Sequence, residues 1–348
     1  MLPPHTLLVD DFAELRDLIQ SWIDGQYELM VILGDGGLGK SETIERMMFS
    51  SKGKASRKWA YIKGHMTPLK LYQLLYEYRL LPIIFNDVDT LLKNEINVSL
   101  LKCVCDTSKV KVVSWTSTHS AFGTLPPTFE SISPVMVVTN SWEKVSQNIK
   151  ALQNRGVVIH FRPTASEIHR EVAEGGWFDD QEVWDFIGKN LYLMTRPDLR
   201  FYIHTRNHKR AGKDWKDLCL RMMEFGVDEE SGETREEKEK LIYVARLLAD
   251  PKYEAMPAPE GEREKVFNTA FERGKSRSTY HRKKLKLEKR RGKFDPKVIA
   301  AIHWKGPSAA PTVFETKQIE RRAVLEQERR ALELAGGVFG DDEEDEDI

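Results

Sequence analysis

Short apolar runs alternate with segments of helical periodicity along the first half of the chain. Apolar residues recur every three or four positions in segments such as 11–25 and 67–79, and this spacing predicts amphipathic helices. Apolar runs bounded by polar residues predict buried strands over 29–33, 59–62, 82–85, 111–115, 135–138 and 157–161. Because strands that alternate with helices form parallel sheets covered on both faces, the pattern predicts an α/β fold.

From about residue 163 the pattern becomes purely helical. Helices are predicted over 165–173, 178–187, 195–204, 216–225, 236–248, 262–272 and 277–289. By contrast, the segment 117–133 holds Gly123, Pro126 and Pro127 and is predicted to be a loop with turns. The composition turns strongly charged at about Asp228, which indicates a linker.

A glycine-rich turn follows the first of the predicted strands. Residues 34–41 read GDGGLGKS and fit G-x-x-x-x-G-K-[ST], between the strand 29–33 and a helix over 42–49. Glycines let the backbone turn tightly and direct N–H groups at phosphate oxygens, and the helix N-terminus adds partial positive charge. The predicted phosphate-binding residues are Gly34, Gly36, Gly37, Gly39, Lys40 and Ser41. Lys40 would reach the β- and γ-phosphates and Ser41 would hold Mg²⁺, so ATP and Mg²⁺ are the expected cofactors.

The strand at 82–85 ends in the polar sequence Asn-Asp-Val-Asp. In the usual register, Asn86 takes the metal-side position and Asp87 the neighbouring base position, so the predicted metal residues are Ser41, Asn86 and Asp87. Asn86 is neutral, and Mg²⁺ binding through it should be weaker than through an aspartate. In a shifted register, Asp87 would hold the metal with Asp89 nearby.

Composition and charge narrow the class of protein. The chain has 348 residues, 41% of them hydrophobic, which suits two domains with a sizeable core. Its three cysteines are too few for a disulfide framework and have no metal-ligand spacing. No run of residues has the length of a membrane span. We therefore expect a cytoplasmic protein without a membrane partner.

The motifs together resemble those of the AAA+ ATPases, in the helicase- or initiator-like form of phage and plasmid proteins. The resemblance rests on GDGGLGKS, IIFNDVD, VMVVTN and ALQNRGVVIHF, in that order. It implies that Asn140 is the sensor 1 residue that orients the attacking water, with Thr116 as the alternative. It also implies that Arg155 is an arginine finger acting across a subunit boundary, whereas the plainer interpretation is a surface arginine at a helix end.

The same resemblance divides the chain. It implies an AAA+ core at 1–162 and a helical lid at 163–227, in which Arg200 is the sensor 2 arginine and Arg196 competes for that role. The segment 111–133 resembles a hairpin that some AAA+ groups insert before sensor 1. Because neighbouring subunits complete each nucleotide site in this family, the resemblance implies a homo-oligomeric ring, most often of six subunits. The catalytic set is then Asp87, Asn140, Arg155 and Arg200.

The C-terminal third carries a dense basic segment within 228–294. From Arg273 to Lys293, eleven of the 21 residues are Lys or Arg. A helix, a short turn with Gly274 and a Ser276-capped helix resemble a helix-turn-helix, so DNA is the expected partner. The predicted DNA contacts are Arg277, Thr279, Tyr280, His281, Arg282, Lys283 and Lys284. The alternatives are RNA binding, or a basic helix neutralised by the protein's own acidic tail.

Residues 295–348 predict a flexible arm, a charged helix over 315–334 and a disordered acidic end, DDEEDED. The arm could bind a protein partner. The whole pattern predicts an ATP-hydrolysing ring that acts on DNA in replication initiation, as a helicase or as a helicase loader. A nucleotide-switched DNA-binding scaffold with slow hydrolysis is the main alternative, because of Asn86. A protein remodeller is disfavoured because residues 63–66 lack an aromatic residue.

Overall fold

The computed structural model describes residues 5–50, 59–88, 91–115, 125–140, 152, 154–194, 198–224, 235–253, 255–271, 277–292, 299, 301–307, 320–328 and 330. The sequence also predicts a helix over 142–153, and that segment lies outside these residues apart from Leu152. The predicted linker at 228–234 and the acidic end of the chain lie outside them as well.

A parallel sheet forms the centre of the described structure. The strands are β1 (Leu7–Val9), β2 (Leu29–Leu33), β3 (Ala60–Lys63), β4 (Ile83–Asn86), β5 (Lys111–Ser114), β6 (Thr128–Ser131), β7 (Val135–Thr139) and β8 (Val157–Phe161). Six of them pair in parallel in the order β1-β8-β2-β7-β4-β3. The strand that precedes the phosphate loop therefore lies between the last core strand and the strand that ends near Asn140.

Helices cover both faces of this sheet. They are α1 (Phe12–Ile23), α2 (Lys40–Ser50), α3 (Pro68–Glu77), α4 (Glu95–Val104), α5 (Ala165–Glu174), α6 (Gln181–Asn190), α7 (Leu199–Arg210), α8 (Trp215–Glu224), α9 (Arg235–Ala249), α10 (Pro259–Ala270) and α11 (Arg277–Gly292). Within the described ranges, none of these helices combines the length and the apolar character needed to cross a bilayer. The predicted α/β class is confirmed.

Alternation along the strands explains why the sheet has two separate apolar cores. In β2, Met30 and Ile32 join the core on the side of α1, α2 and the C-terminal helices. Leu29 and Val31 point to the opposite face and join the core under α3 and α4. Successive side chains of a strand leave on opposite faces, so a fully apolar strand such as β2 is what a sheet covered on both sides requires.

Two strands were not predicted from the apolar pattern. β6 falls in the segment 117–133 that was predicted to be a loop, and it pairs with β5 as an antiparallel hairpin. The loop prediction was therefore wrong for Thr128–Ser131. The strand is only four residues long and half exposed, and its prolines lie just outside it. β1, three residues long at the edge of the sheet, also lacked a recognisable signal.

The hairpin is fixed to the sheet at its base. The side chain of Lys111 is buried and pairs with the carboxylate of Glu28, which precedes β2. The backbone N–H of Ile132 donates to the carbonyl of Arg79 after α3. These contacts hold the strand pair at the end of the sheet where β2 and β7 begin.

The C-terminal helices pack on the lid. Helices α5 to α8 form the lid, and the core on their side of the sheet continues without a break to Tyr280 and Leu287 of α11. The segment 301–307 returns to the lid as well, because Trp304 packs on Phe178 and Trp184. The helices that follow residue 163 therefore share one apolar core with this face of the sheet.

His169 lies at the centre of the lid. Its ring stacks on Trp184 at 4.1 Å between centroids, and its Nδ1 lies 3.0 Å from the Tyr202 hydroxyl. Gly188 leaves the space for this ring, since a Cβ there would lie 2.7 Å from Nε2. Burial lowers the pKa of His169 to about 3, because the imidazolium would lose its hydration without gaining a carboxylate.

Replacing His169 with Gln is expected to reduce the loss of stability in acid. The unfolded chain takes up a proton on this histidine near its ordinary pKa, whereas the folded protein does not. The stabilising effect is therefore complete above about pH 6.5 and declines as the pH falls toward the folded pKa. For one such group the loss at pH 5.5 is about 1.4 kcal/mol.

The measurement is the free energy of unfolding by urea at pH 8 and pH 5.5 for both proteins. The His169→Gln protein should lose about 1.4 kcal/mol less than the wild type over this interval. An equal loss in both proteins would show that His169 is not the source of the acid sensitivity.

Candidate functional site

The phosphate loop lies at the carboxyl end of β2, between Leu33 and the first residue of α2. Gly34 approaches the neighbouring strand closely, since a Cβ there would lie 2.6 Å from the Phe161 carbonyl oxygen. Gly37 and Gly39 both have φ of 82°, in the left-handed region that residues other than glycine rarely adopt. The loop therefore needs glycine at these three positions for its shape alone.

Lys40 is held inside the loop by three acceptors. Its ammonium donates to the carbonyl oxygens of Gly34 at 2.8 Å and Asp35 at 2.7 Å, and to Oδ1 of Asn140 at 3.0 Å. The residue is only 4% exposed. Burial lowers the pKa of Lys40 to about 8, while the carboxylates of Asp87 and Asp35 oppose that shift and Arg200 adds to it.

Asn140 connects Lys40 to Asp87. Its amide nitrogen donates to Oδ1 of Asp87 at 2.8 Å, while its oxygen accepts from Lys40. Asp87 follows β4 with φ of 53°, and its backbone N–H donates to the Val138 carbonyl of β7. This left-handed turn directs the carboxylate to the same edge of the sheet as the phosphate loop. Two residues more than 50 positions apart are thus aligned next to the lysine.

A second set of hydrogen bonds begins at Ser41. Its hydroxyl donates to Oδ1 of Asn86 at 3.0 Å, and the Asn86 amide nitrogen donates to the Tyr61 hydroxyl at 3.1 Å. Burial and the nearby Glu45 carboxylate raise the pKa of Tyr61 well above its ordinary value. Asn86 therefore faces Ser41, as in the usual register and not in the shifted one. Asp89, which the shifted register would bring nearby, lies outside the described residues.

The lid helix α7 begins directly on the phosphate loop. Asp198 caps the helix by accepting from the N–H of Arg200 at 2.7 Å, and the N–H of Leu199 donates to the Gly37 carbonyl at 3.0 Å. A Cβ on Gly37 would lie 2.1 Å from the Asp198 carboxylate. Arg200 then extends into the same pocket, close enough to influence Lys40. Arg196 lies outside the described residues.

These groups line a cavity of about 830 Å³ between the loop and the lid. Its far wall is formed by α1, α2 and the end of α5, where Arg16 pairs with Glu171 at 3.0 Å and Arg46 donates to the Gly175 carbonyl. Ser41 and Asp87 line the cavity, and the amide oxygen of Asn86 lies behind Ser41, 3.0 Å from its hydroxyl. These three groups are the hard oxygen donors that Mg²⁺ prefers, so the residues present fit this ion. The cavity has the volume of a small-molecule site.

Arg155 is not part of this cavity. It precedes β8 and therefore lies at the opposite end of the sheet from the phosphate loop, about five residues or ~16 Å of strand away. Its charge acts on Asp106 and Cys105 at that end. Any contact with a phosphate would have to be with another subunit's nucleotide. Thr116, the alternative sensor 1 residue, lies outside the described residues.

The predicted DNA-contacting side chains fall on different sides of α11. Tyr280 is fully buried against Phe267, and Lys283 is nearly buried beside Glu237. Neither side chain lies on the exposed surface that the prediction required. His281 lies 3.6 Å from Glu264, and Lys284 pairs with Glu260 at 2.9 Å.

The remaining members of the predicted set differ in exposure. Arg282 is exposed and Thr279 is half-buried, whereas the Arg277 side chain lies outside the described atoms. The turn at 272–276, on which the helix-turn-helix resemblance depended, is not among the described residues.

Sequence reasoning missed three residues of the candidate site: Glu45, Tyr61 and Asp198. Glu45 and Tyr61 belong to no phosphate-loop motif, and their proximity depends on how β3 lies against α2. Asp198 had a signal, since an aspartate before an apolar residue is a typical N-cap, but the predicted helix over 195–204 began three residues too early. Its contact with Gly37 had none.

The Gly37→Ala protein is expected to be less stable than the wild type by about 1–3 kcal/mol. The new methyl group would impose strain at positive φ and displace the Asp198 cap. Gly36→Ala is the matched control, because a Cβ there meets nothing within 4 Å. Thermal unfolding of the two variants without nucleotide measures the difference. Equal midpoints would mean that the loop and lid are not in contact in solution.

Comparisons with known proteins found similarity to solved structures alone. No sequence profile of a known family and no curated protein matches the chain. One similar solved structure is Drosophila ORC bound to DNA, with 12% identity, a TM-score of 0.38, and coverage of 84% of this chain and 80% of that one. Another is NtrX from Brucella abortus in complex with ATP, with 12% identity, a TM-score of 0.34, and coverage of 79% and 67%.

A third, from a study of katanin self-assembly, has 12% identity, a TM-score of 0.29, and coverage of 88% and 86%. These neighbours are AAA+ ATPases with a parallel α/β sheet. The identities are low and the TM-scores lie below 0.5, so no conclusion about this chain depends on these likenesses.

Proposed function

We propose that this chain is an AAA+ ATPase that binds ATP between its phosphate loop and its lid and hydrolyses it. The observation that carries the proposal is the convergence of Lys40, Asn140 and Asp87 at one edge of the sheet, within bonds of 2.8 to 3.0 Å. The phosphate loop supplies the Lys40 cation and backbone N–H donors for phosphate oxygens. Asp87 and Asn140 supply the hydrogen-bonding groups that can orient an attacking water molecule.

Each side chain has a role that follows from its position. Lys40 binds the β- and γ-phosphates. Phosphate oxygens can replace the carbonyl and amide oxygens that accept its hydrogen bonds in this structure. Asp87 accepts a hydrogen bond from the attacking water and Asn140 orients it. Arg200, at the first turn of the lid, contacts the γ-phosphate and links lid position to nucleotide state. When bound at Ser41, Asn86 and Asp87, Mg²⁺ would neutralise charge on the phosphate oxygens.

Assembly into a homo-oligomer is part of the proposal. Arg155 lies at the end of the sheet remote from its own phosphate loop, so it could serve only a neighbouring subunit's site. A ring in which each subunit supplies this arginine to the next satisfies that geometry.

We further propose that the protein acts on DNA, in replication initiation, as a helicase or as a helicase loader. The exposed side of α11 supports this, because Arg282 and Lys289 face solvent there. Cations on one helix face attract a phosphate backbone and release its counterions. Tyr280 and Lys283 are assigned to the packing of α11 and are no longer proposed as DNA contacts.

A second candidate function is a nucleotide-switched DNA-binding scaffold with slow turnover. Asn86 favours it, because the neutral amide occupies the position next to Ser41 that faces the metal. Such a protein would bind ATP tightly, hydrolyse it slowly and change its DNA affinity with nucleotide state.

ATP turnover with and without duplex and single-stranded DNA separates these functions. The wild type should hydrolyse ATP faster with DNA, and Lys40→Ala should lose at least about 100-fold because its cation is removed from the phosphates. Tight ATP binding with almost no turnover on any DNA would favour the scaffold. Normal turnover by Lys40→Ala would show that the site is elsewhere.

The charge-reversed protein Arg282→Glu/Lys289→Glu is expected to bind duplex DNA at least about tenfold more weakly at moderate salt. The dependence of log K on log salt should become less steep by about two, one for each lost phosphate contact. The control is Lys252→Glu/Lys265→Glu, which makes the same change of charge at exposed lysines outside α11. An equal loss in the control would mean that net charge alone, not α11, sets the affinity.

A further inference from the structure

The cavity extends well beyond the phosphate loop. Lys40 is the first residue of α2, and Arg46 and Met47, which line the same cavity, follow it by six and seven residues, about 9–10 Å along the helix axis. Phosphates belong at the N-terminus of α2, where the loop N–H groups and Lys40 lie. The far wall is therefore left for the remainder of the ligand, which in a nucleotide is the ribose and the base.

Trp177, just after α5, offers an aromatic surface at this wall. Of the described residues that line the cavity, Phe12 and Trp177 are aromatic. Phe12 is fully buried and packs edge-to-face on Phe161 at 5.0 Å between ring centroids, whereas Trp177 is only half-buried. Trp177 is thus the ring that keeps part of its surface open to the cavity. Every nucleobase has a flat face that can stack on such a ring.

The backbone beside Trp177 holds its ring in place. A Cβ on Gly175 would lie 2.7 Å from both Cδ1 and Nε1 of the indole, so the ring lies directly against this glycine. The Gly175 carbonyl in turn accepts a hydrogen bond from Arg46 of α2 at 3.0 Å. Phe178 packs edge-to-face on the indole at 5.6 Å between centroids. A ring that is already fixed loses little conformational freedom when a ligand binds to it.

The same wall carries a carboxylate with unused acceptor sites. Both side-chain oxygens of Glu171 accept from Arg16, at 3.2 and 3.0 Å, and the Glu171 side chain is 15% exposed. An ionised carboxylate can accept about four hydrogen bonds, and Arg16 supplies two within the described part of the chain. Adenine presents an amino donor beside a ring-nitrogen acceptor, which matches a carboxylate beside a guanidinium.

We propose that this far wall is the nucleobase subsite, in which the base stacks on Trp177 and the amino group of adenine donates a hydrogen bond to Glu171. The inference rests on the proposed binding of ATP and deepens it. It assigns the choice of base to α5 and to the turn that follows it. A site that hydrogen-bonds one group of its ligand discriminates against analogues that lack this group.

Calorimetric titration of the full-length protein tests the stacking, with a non-hydrolysable ATP analogue and inorganic tripolyphosphate as ligands, both with Mg²⁺. Trp177→Ala is expected to bind the analogue about 5–150-fold more weakly. Its affinity for tripolyphosphate should change less than about twofold, because that ligand has no base to stack. Trp177→Phe keeps a ring and should retain most of the affinity for the analogue.

The matched control is Trp215→Ala. Trp215 is another half-buried tryptophan of the lid, but it packs on Phe186 and does not line the cavity. This variant should bind both ligands as the wild type does. A Trp177→Ala protein that binds the analogue normally, or that loses affinity for both ligands equally, would overturn the stacking.

The ratio of affinities for two bases tests Glu171. Inosine carries an oxygen where adenine carries its amino group, so the wild type should bind the ATP analogue more tightly than the corresponding ITP analogue. Glu171→Gln should reduce this preference at least about fivefold, because an amide can also donate to the inosine oxygen. A purely structural role of Glu171 would weaken the binding of both analogues equally and leave the ratio unchanged.

Glu167→Gln is the control for this ratio, since Glu167 lies on the same helix, pairs with Arg170 and does not line the cavity. It should leave the preference for adenine as it is. An unchanged preference in Glu171→Gln, or tighter binding of a GTP analogue than of the ATP analogue by the wild type, would refute the assignment of the adenine amino group to Glu171.

Failure of the proposed function would give a different result. A wild-type protein that binds neither the ATP analogue nor tripolyphosphate would refute nucleotide binding itself, and with it the inference. A wild-type protein that binds both ligands equally tightly would refute the base subsite alone, because the nucleoside would then add nothing to the affinity of the phosphates.

Discussion

A buried ammonium group needs acceptors around it, and Lys40 obtains them from two elements that are distant in the chain. Two come from the phosphate loop and one from Asn140 after β7. An unpaired buried cation would cost several kcal/mol, so the loop and the end of β7 must stay in register. The amide nitrogen of Asn140 donates to Asp87, so the position of that carboxylate also depends on the need of Lys40 for acceptors.

Local patterns were sufficient to predict five of the six strands of the parallel sheet and the phosphate loop. β2, β4, β7 and β8 are short apolar runs with clear boundaries, and GDGGLGKS places its lysine and serine by sequence spacing alone. Asp87 could be assigned to this edge because ligands bind at the carboxyl ends of parallel strands, whereas Asn140 was assigned through the family resemblance. These parts of the site follow from chain direction and from period-two alternation.

The parts that could not be predicted depend on how distant elements lie against each other. Tyr61 meets Asn86 because β3 pairs beside β4, which no single segment encodes. The same reason explains why the predicted DNA contacts on α11 were partly misplaced. Its basic composition suggested a surface facing DNA, yet Tyr280 packs on Phe267 and Lys283 faces Glu237, because the helix must bury one side against the lid. Composition indicates charge, whereas packing decides which charges face solvent.

The contact between Gly37 and α7 has a mechanical consequence. The contact is made by the backbone of the loop: the Gly37 carbonyl accepts a hydrogen bond from the N–H of Leu199, the first residue of the helix. Because Gly37 has no Cβ, there is room beside it for the Asp198 carboxylate that caps the helix. The loop and the helix therefore cannot move independently over distances longer than a hydrogen bond. A displacement of the loop would therefore be transmitted to α7 and to the helices that share its core. Gly37 is thus the point at which movement of the phosphate loop is coupled to movement of the lid.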